Sequence, residues 1–437
     1  MEALLDSVTS RLRLAVASLD PWPQRVEALL THPIRMDQYL IYSTVFSTFL
    51  TIMLAHKGID IFWGYPVVLV NTLILLGQDR LVMHRHHFAI VLAATVISFI
   101  ASARSGTSGM AIIAQVLGIL LFSTYFFSML TNSGLSVPRW MQIYSQFALG
   151  IVILGFAIFI ARHLGLMAPG RDGRLTSIYQ EPSLFVYSTL PAFGIYVNSW
   201  LRDRRYEVEV FLFFIAYALA ESSLGFLGIL LIAFYAALPR LNFWRMVLFF
   251  LAAAAAFTGL FFASFNFRLR VVDTAMAIVK MNISAVNSST FAILSNLYVT
   301  FKTFLSNPLI GVGLGGYQFA YTKYIGVISA NVQDPDLITL NMFDASSLFF
   351  RTAAEMGLLG LIALIGFLVV CSKVRGDQHI VIRNALMPYM IVRMGRLGSW
   401  FSVELYFFVG LFLLNYLHSR ALYGTARRPR HEGPSSI

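Results

Sequence analysis

Two charged residues lie close together inside a long apolar stretch of the sequence. Arg351 and Glu355 are four positions apart, so they share one face of a helix. An ionisable pair inside a membrane helix is a candidate functional site, although a buried ion pair that only locks two helices together explains it as well. The same two explanations hold for three further carboxylates, Glu221, Asp344 and Glu404. Side chains of these types can bind an anion through arginine and can transfer a proton through a carboxylate.

Further arginines stand at the ends of apolar stretches, and these are Arg162, Arg171, Arg174, Arg393 and Arg396. A guanidinium fork grips two phosphate oxygens at once, so several arginines that converge on one cavity suit a diphosphate group. An ordinary interfacial position explains any single one of them equally well. Together the arginines suggest an anionic ligand at one face of the molecule.

A carboxylate follows two of these arginines. The segment from Arg174 to Glu181 is followed by Pro182 and Ser183. Proline in the first turn of a helix is structurally natural, so helix-start chemistry explains this motif. A carboxylate beside arginines is equally a candidate general base.

The most distinctive segment of the chain runs from Asn307 to Tyr317. It contains Gly311, Gly313 and Gly315, and glycines permit positive φ and close backbone approach. Such a loop is a candidate cradle for phosphate or sugar. It lacks the Lys-Ser pair of a P-loop, which argues against nucleotide hydrolysis.

The elements that must position these residues are membrane helices. Hydrophobic residues make up 58% of the 437 residues, charged residues 12%, and the mean hydropathy is +0.72, a balance that excludes a soluble domain of this size. Continuous apolar runs of roughly 20 residues predict about twelve helices and an all-α fold rather than a barrel. The predicted spans are 39–55, 59–76, 87–103, 109–130, 140–161, 183–200, 207–221, 223–238, 246–264, 346–371, 379–394 and 398–417.

The distribution of Lys and Arg predicts the orientation of these helices. With both termini in the cytoplasm, most short basic loops face inside, which is the positive-inside pattern. This depends on a break between two helices at Glu221, Ser222 and Ser223. The predicted organisation is a cytoplasmic amphipathic segment 1–37, helices over 38–264 with an external loop at 162–182, a large external loop 265–345, helices over 346–418, and a basic cytoplasmic tail 419–437.

The sequence predicts no cofactor and no metal site. The single cysteine, Cys371, lies in an apolar stretch and forms no disulfide within the chain. No His or Asp cluster has the spacing of metal ligands. The predicted partners are membrane lipids, and nucleic acid is not among them.

Three segments in the same order resemble the superfamily of O-antigen polymerases and O-antigen ligases of bacterial polysaccharide assembly. The segment from Asn307 to Tyr317 is similar to the family's Asn-Pro-Leu-Phe-Gly-Val-Gly-Leu-Gly element. Ser346 to Gly360 is similar to a segment that ends in Ala-Glu-x-Gly-x-x-Gly, and Arg174 to Ser183 is similar to an external loop in which Arg precedes Pro-Ser or Pro-Asn. The resemblance covers about residues 170 to 410.

The resemblance implies a GT-C-like glycosyltransferase of the bacterial inner membrane that uses sugar donors linked to undecaprenyl diphosphate at the periplasmic face. The implied partners are the lipid-linked oligosaccharide substrate, a chain-length regulator and a flippase of the same pathway. The implied diphosphate-binding residues are Arg174, Arg351 and Arg396, followed by Arg171 and Arg393. Glu181 is the first candidate base, followed by Glu355 and Asp344. Gly311, Gly313 and Gly315 are expected to shape the loop over the sugar, and Trp63, Trp140, Tyr317 and Tyr321 are candidates to stack on sugars or to anchor at the interface.

Two departures favour a polymerase over a ligase. Ligases of the family typically have His-Asn eleven residues before the first Gly of Gly-x-x-Gly, where this chain has Ser346 and Ser347. The family's frequent Ser-Arg is replaced by the segment 221–223. The alternatives that remain are a ligase that transfers polymer to lipid A core, a flippase of lipid-linked oligosaccharide, and a structural scaffold.

Overall fold

The computed structural model describes residues 36–51, 53–56, 60–167, 173–238, 242–263, 265–280, 288–329, 332 and 335–423. The chain divides into two compact units, residues 1–43 and 44–437. The described part of the first unit is the beginning of helix α1, Met36–Ser47. The amphipathic segment predicted over residues 1–37 and the basic tail therefore lie almost wholly outside the described residues.

Helices make up nearly all of the second unit, so the all-α prediction is confirmed apart from one short hairpin. In chain order the helices after α1 are α2 Gly64–Gly77, α3 Arg85–Ser105, α4 Gly109–Asn132, α5 Val137–His163, α6 Pro182–Asp203, α7 Glu207–Ala220, α8 Ser223–Ala237, α9 Phe243–Ala263, α10 Phe265–Lys280, α11 Ser288–Ser306, α12 Tyr317–Ser329, α13 Pro335–Ile338, α14 Leu348–Cys371, α15 Asp377–Arg396 and α16 Val403–Tyr423. The hairpin pairs β1 Met53–His56 with β2 Asp60–Phe62 in antiparallel register, Met53 opposite Phe62.

Within the described residues, five helices are long and apolar enough to cross a membrane, namely α3, α4, α5, α14 and α16. Shorter apolar helices are α2, α8 and most of α9. Helix α15 has 20 residues but carries His379, Arg383, Arg393 and Arg396, so its composition alone does not mark it as a span. These lengths support a multi-pass membrane protein and leave the expected number of about twelve spans as a prediction.

The first two predicted spans have the wrong boundaries. The prediction extended the first span to residue 55, whereas α1 ends at Ser47 and a hairpin follows. Side-chain hydroxyls compete with the helix at this point, because Ser47 Oγ donates to the Thr44 carbonyl at 2.7 Å and Thr48 Oγ1 donates to the Val45 carbonyl at 2.7 Å. Such local bonds offer the backbone an alternative to the helical ladder.

The predicted break between the seventh and eighth spans is confirmed. Helix α7 ends at Ala220, Glu221 has a φ of +44°, and α8 begins at Ser223 after an extended Ser222. A left-handed residue terminates the helix and reverses the chain.

Helices α6 and α15 pack closely against each other. An added Cβ on Gly194 would lie 2.7 Å from the Ala385 Cα atom, so glycine allows the two backbones to approach. One turn away, Asn384 Nδ2 donates to Asn198 Oδ1 at 3.0 Å. Small residues and interhelical amide bonds are the usual means of holding helices together in a membrane. The polar helix α15 therefore lies inside the bundle.

The basic loops collect at one end of the helices, which we call the basic end. Arg80 donates to the carbonyl of Asn132 at 3.2 Å, which joins the loop after α2 to the end of α4. Arg202 at the end of α6 pairs with Asp377 at the start of α15 at 3.1 Å. The Arg375 N–H donates to Ser419 near the end of α16 at 2.6 Å.

The opposite end of the bundle, which we call the site end, includes the end of α7 and the starts of α6 and α16. Leu175 donates to the carbonyl of Leu219 at 3.0 Å, which joins the loop before α6 to the end of α7. Tyr187 near the start of α6 donates to Glu404 at the start of α16 at 3.4 Å. The segment 265–345, expected to be a loop, contains helices α10 to α13. Its glycine-rich part bonds to the backbone of α14, which begins at the site end.

Candidate functional site

Arg351 is held rigidly in the first turn and a half of helix α14. Ser347 caps the helix by accepting a bond from the Phe350 N–H at 3.4 Å. Arg351 Nε lies 3.0 Å from Glu355 Oε1, and its other two nitrogens donate to the Gly398 carbonyl at 3.3 Å and to Gln115 Oε1 at 3.2 Å. The guanidinium thus connects α14 to α4 and to the loop before α16.

Glu355 is fully buried, and both of its oxygens are occupied. Oε1 accepts from Arg351 and from the Gly315 N–H at 3.1 Å. Oε2 accepts from the Trp400 indole N–H at 3.1 Å. A carboxylate that is saturated with donors and closed off from solvent is a structural acceptor. This geometry does not favour the expected role of Glu355 as a base.

Helix α14 is interrupted immediately after Glu355, and the glycine-rich loop closes the gap. Gly357 has φ +60° and ψ −150°, a conformation that essentially only glycine adopts. The carbonyls of Ala354 and Glu355 accept from Val312 and Gly313 at 2.9 and 2.8 Å, while the Leu358 N–H donates to the Pro308 carbonyl at 2.8 Å. The loop therefore replaces the helical hydrogen bonds that the break removes.

The glycines permit this contact by their size and by their backbone conformation. Gly311 has a φ of +67°, and an added Cβ would lie 2.4 Å from the Ala354 carbonyl oxygen. Similarly, an added Cβ on Gly313 would approach the Ser98 carbonyl, and one on Gly315 would approach the Ala111 carbonyl, each to 2.7 Å. The loop packs between α3, α4 and α14, and the three glycine positions leave no room for a side chain.

The same geometry corrects the expectation that this loop cradles phosphate or sugar. Every backbone N–H from Gly311 to Tyr317 already donates to an acceptor within the protein. Tyr317 is fully buried and its hydroxyl donates to Asn296 Oδ1 at 2.7 Å, so it does not present its ring to a sugar. Tyr321 and Trp140 are also buried, whereas Trp63 is 49% exposed.

Arg393 belongs to a second buried ion pair. Its Nε lies 3.3 Å from Glu404 Oε1, and both side chains are almost completely buried. The remaining guanidinium nitrogens bond to Leu397, Ser399 and Ser402. Arg393 thus ties the end of α15 to the start of α16, and all three of its nitrogens are engaged within the protein.

Asp344 lies on a strained turn just before helix α14. Asn341, Ala345 and Ser346 all have positive φ, +59°, +62° and +57°, which is unusual for residues with a Cβ and concentrates at functional sites. The Ser346 hydroxyl holds this turn because it donates to the Ala292 carbonyl at 3.2 Å and accepts from Asn341 Nδ2 at 2.8 Å.

Asp344 is half-buried, and one oxygen of its carboxyl is hydrogen-bonded. Its Oδ1 accepts from the Ser346 N–H at 3.1 Å, and no described residue donates to Oδ2. Burial raises the pKa of the Asp344 carboxyl, an effect that the Ser346 N–H and the nearby guanidinium groups of Arg351, Arg396 and Arg393 oppose. A carboxylate with raised proton affinity is the better general base at neutral pH.

Arg396 differs from the other two arginines of this group. It is partly exposed, and its guanidinium donates to the neutral Ser289 hydroxyl at 3.0 Å. Among the described residues it makes no ion pair. Unlike Arg351 and Arg393, it has no described carboxylate within ion-pair distance, although it interacts electrostatically with the nearby Asp344 carboxyl. Of the three guanidinium groups, that of Arg396 is therefore the best placed to bind an anionic ligand.

The backbone of Gly398 brings Asp344 and Arg351 together. An added Cβ on Gly398 would lie 1.3 Å from the Asp344 carbonyl oxygen, and the Gly398 carbonyl accepts from Arg351. Asp344, Arg351 and Arg396 thus surround one backbone segment at the site end. The group combines a candidate base with two cations, which is suitable for proton removal beside an anion.

The loop between α5 and α6, expected to be external, contributes less to the site than expected. Arg171 lies outside the described residues. Arg174 is partly exposed. Glu181 is exposed and precedes α6, where its Oε2 accepts from Ser183 at 3.0 Å and its carbonyl accepts from Leu184. Among the described residues Glu181 makes no ion pair, so the structure does not bring it to the arginines.

Sequence reasoning missed three residues of the site. Gln115 and Trp400 bond to the Arg351–Glu355 pair, and Ser289 bonds to Arg396. A signal was present for Gln115, because a polar residue in the middle of an apolar helix usually has a partner. Nothing local marks Trp400 or Ser289. Among the described residues no group of three or more His, Cys, Asp or Glu side chains is placed to hold a metal ion.

Comparison with protein families and with curated proteins identifies no relative. No protein-family profile matches the chain, and no curated protein matches it significantly. A function for the protein therefore rests on the chemistry of the site and on the resemblance of its segments.

Proposed function

We propose that this protein is a Wzy-type polysaccharide polymerase, a membrane glycosyltransferase that joins oligosaccharide repeat units carried on undecaprenyl diphosphate. The observation that carries the proposal is the group at the site end, where Asp344 lies on a strained turn beside Arg351 and Arg396. The resemblance of the segments around Gly311 and Gly357 to the polymerase and ligase superfamily supports the same conclusion.

The chemistry requires a base and a cation. Asp344 removes the proton of an acceptor sugar hydroxyl, whose oxygen attacks the anomeric carbon of the donor. The bond from that carbon to the diphosphate oxygen breaks, and undecaprenyl diphosphate leaves with the electron pair. Arg396 contacts the diphosphate, and Arg351 adds positive charge from behind, so that the developing negative charge is stabilised by groups already in place.

The proposed orientation follows from the charge at the two ends. The basic end, with Arg80, Arg202, Arg205 and Arg375, faces the cytoplasm by the positive-inside rule. The site end then faces the periplasm, where lipid-linked repeat units are joined. In this proposal the shorter helices complete a GT-C-like bundle of about twelve spans in the bacterial inner membrane. A chain-length regulator and a flippase act as partners.

Reconstitution tests the proposal. Purified protein in liposomes receives synthetic undecaprenyl-diphosphate repeat units, and a gel resolves the lengthened glycans. We expect a ladder from the wild type, and we expect Arg396→Gln to reduce its rate at least about 100-fold because transition-state charge loses its partner. Arg205→Gln is the matched control, since it removes the same charge at the basic end, and it should leave the rate unchanged.

The other outcomes separate the alternative functions. Product that forms only when lipid A core is added would identify a ligase. Labelled lipid that crosses the liposome membrane without elongation would identify a flippase. An equal loss of polymerisation rate in Arg396→Gln and Arg205→Gln would contradict the assignment of the active site to the site end.

A further inference from the structure

A cavity of about 610 Å³ opens at the basic end of the molecule, within the ~300–1,000 Å³ range of ligand sites. Its walls are the start of α5, the start of α15 and the end of α16. Helix α15 begins in this cavity and ends at Arg396, and 20 residues of helix are ~30 Å long. The cavity is thus separate from the candidate active site, and a ligand bound there is independent of the proposed polymerase function.

The cavity presents a cation and amide donors. Arg139 and Gln142 of α5 line one wall, where Arg139 donates to Gln142 Oε1 at 2.7 Å. This bond uses one of the five guanidinium donors, and Arg139 is exposed. Gln378 lies on the facing wall. None of the described lining residues is a carboxylate, and the nearby Asp377 pairs with Arg202.

His379 is oriented toward this cavity by a buried partner. The ring is only 8% exposed and lines the cavity. Asn415 Nδ2 donates to the His379 carbonyl at 3.0 Å, so the Asn415 oxygen is the atom that accepts from His379 Nδ1 at 2.8 Å. That bond assigns the proton to Nδ1. Nε2 has no bond to any described residue and remains for a ligand, to which a protonated ring donates.

Two helix N-termini meet at the cavity. Ser136, Pro138 and Arg139 belong to the start of α5, and Gln378 and His379 belong to the first turn of α15. Neither helix has a side-chain cap, so the first N–H groups and the positive ends of both helix dipoles favour an anion. His418 of α16 adds a third nitrogen-bearing side chain.

We propose that this cavity binds a phosphate group, supplied either by the headgroup of an anionic phospholipid or by a soluble phosphate. The third wall is apolar, formed by Ala421 and Leu422, and Leu422 is 68% exposed. An apolar wall beside a cationic pocket also accommodates the glycerol and first methylenes of a lipid. Arg139 donates to two phosphate oxygens at once, and the His379 ring, when both of its nitrogens carry protons, donates from Nε2 to a further one.

Binding to the full-length protein in detergent tests the site with three probes. These are inorganic phosphate, short-chain phosphatidylglycerol and short-chain phosphatidylcholine, each titrated calorimetrically. Arg139→Gln should weaken the bound probe about tenfold or more, the usual effect of losing a charge-assisted hydrogen bond. His379→Asn keeps the bond to Asn415 and removes Nε2, and it should weaken binding several-fold. Arg205→Gln removes an equal charge outside the cavity and should change binding less than twofold.

Each outcome has a definite meaning. If phosphatidylglycerol binds and inorganic phosphate does not, the cavity is a lipid headgroup site. If the two probes compete for binding, the cavity also accepts soluble phosphate. Because Arg139 is exposed, the Arg139→Gln variant should fold even if the His379→Asn variant fails to fold. Failure of both phosphatidylglycerol and phosphate to bind at millimolar concentration, or equal weakening in Arg139→Gln and Arg205→Gln, overturns the proposal.

Discussion

At the scale of single residues, the structure reverses the order of the candidate bases. Glu181 ranked first in the sequence because it follows arginines, yet it is exposed and bonds only to its own helix start among the described residues. Glu355 is enclosed by donors. Asp344 has one carboxyl oxygen to which no described residue donates, a strained backbone around it and three arginines nearby. The charged residues of the site thus divide into buried ion pairs and a candidate reactive group, Asp344 with Arg396.

Asp344→Asn should lower the polymerisation rate at least about 100-fold, the usual contribution of a positioned base. The base must be deprotonated to act, and burial raises the pKa of the Asp344 carboxyl above its ordinary 3.8. Activity should therefore rise with pH through this raised pKa and fall as the carboxyl protonates. The pH profile of kcat/KM measures this acid limb.

Glu181→Gln is the control for this prediction, because it neutralises an exposed carboxylate at the same end. It should change the rate only a few-fold and leave the acid limb in place. If Glu181→Gln removed the acid limb while Asp344→Asn retained it, the two roles would be exchanged.

At the scale of elements, the central feature is the broken helix α14. The break at Gly357 directs the carbonyls of Ala354 and Glu355 toward the glycine-rich loop. The loop in turn places the Gly315 N–H on the Glu355 carboxylate. The glycines are therefore required for closure of a helix rather than for contact with a ligand, and the Arg351–Glu355 pair depends on that closure.

Gly311→Ala should destabilise the protein by more than about 2 kcal/mol, because positive φ costs a residue with a Cβ roughly 1–3 kcal/mol and the new methyl group would meet the Ala354 carbonyl at 2.4 Å. Gly366→Ala in helix α14, against which the loop packs, is the matched control, since an added Cβ there has nothing within 4 Å. Thermal unfolding in detergent measures both. Equal midpoints for the two variants would contradict the proposed packing role of the loop.

At the scale of the whole molecule, charge separates the two ends of the bundle. Basic loops meet through the Arg80–Asn132, Arg202–Asp377 and Arg375–Ser419 contacts. The candidate reactive group and both buried ion pairs lie at the other end. A membrane with a positive-inside bias orients such a molecule in one way.

Cysteine labelling tests this orientation. In a Cys371→Ala background, Glu181→Cys should react with a membrane-impermeant maleimide in intact cells, because the proposed orientation places the site end in the periplasm. Arg205→Cys should react only after the inner membrane is permeabilised. Labelling of both from one side would contradict the helix arrangement, and the reverse pattern would contradict a periplasmic site.

The sequence by itself determined the local features of this protein. Apolar runs predicted helices because each run is long enough to form its own backbone bonds, and the break at Glu221 was confirmed. The four-residue spacing placed Arg351 and Glu355 in contact, which the 3.0 Å distance confirms. Hydroxyl-rich segments misled the prediction, since Ser47 and Thr48 end α1 early.

Only the tertiary structure decided which distant groups meet. The Pro308–Leu358 bond, the contact of Gln115 with Arg351 and the proximity of Asp344 to Gly398 join residues far apart in the chain. Helical periodicity reports which face of one helix is apolar, and it is silent on which helix covers that face. Whether a charged residue is paired and enclosed or remains accessible to a ligand depends on that choice of neighbour, and so the division of labour among the arginines and carboxylates emerges only when the helices pack.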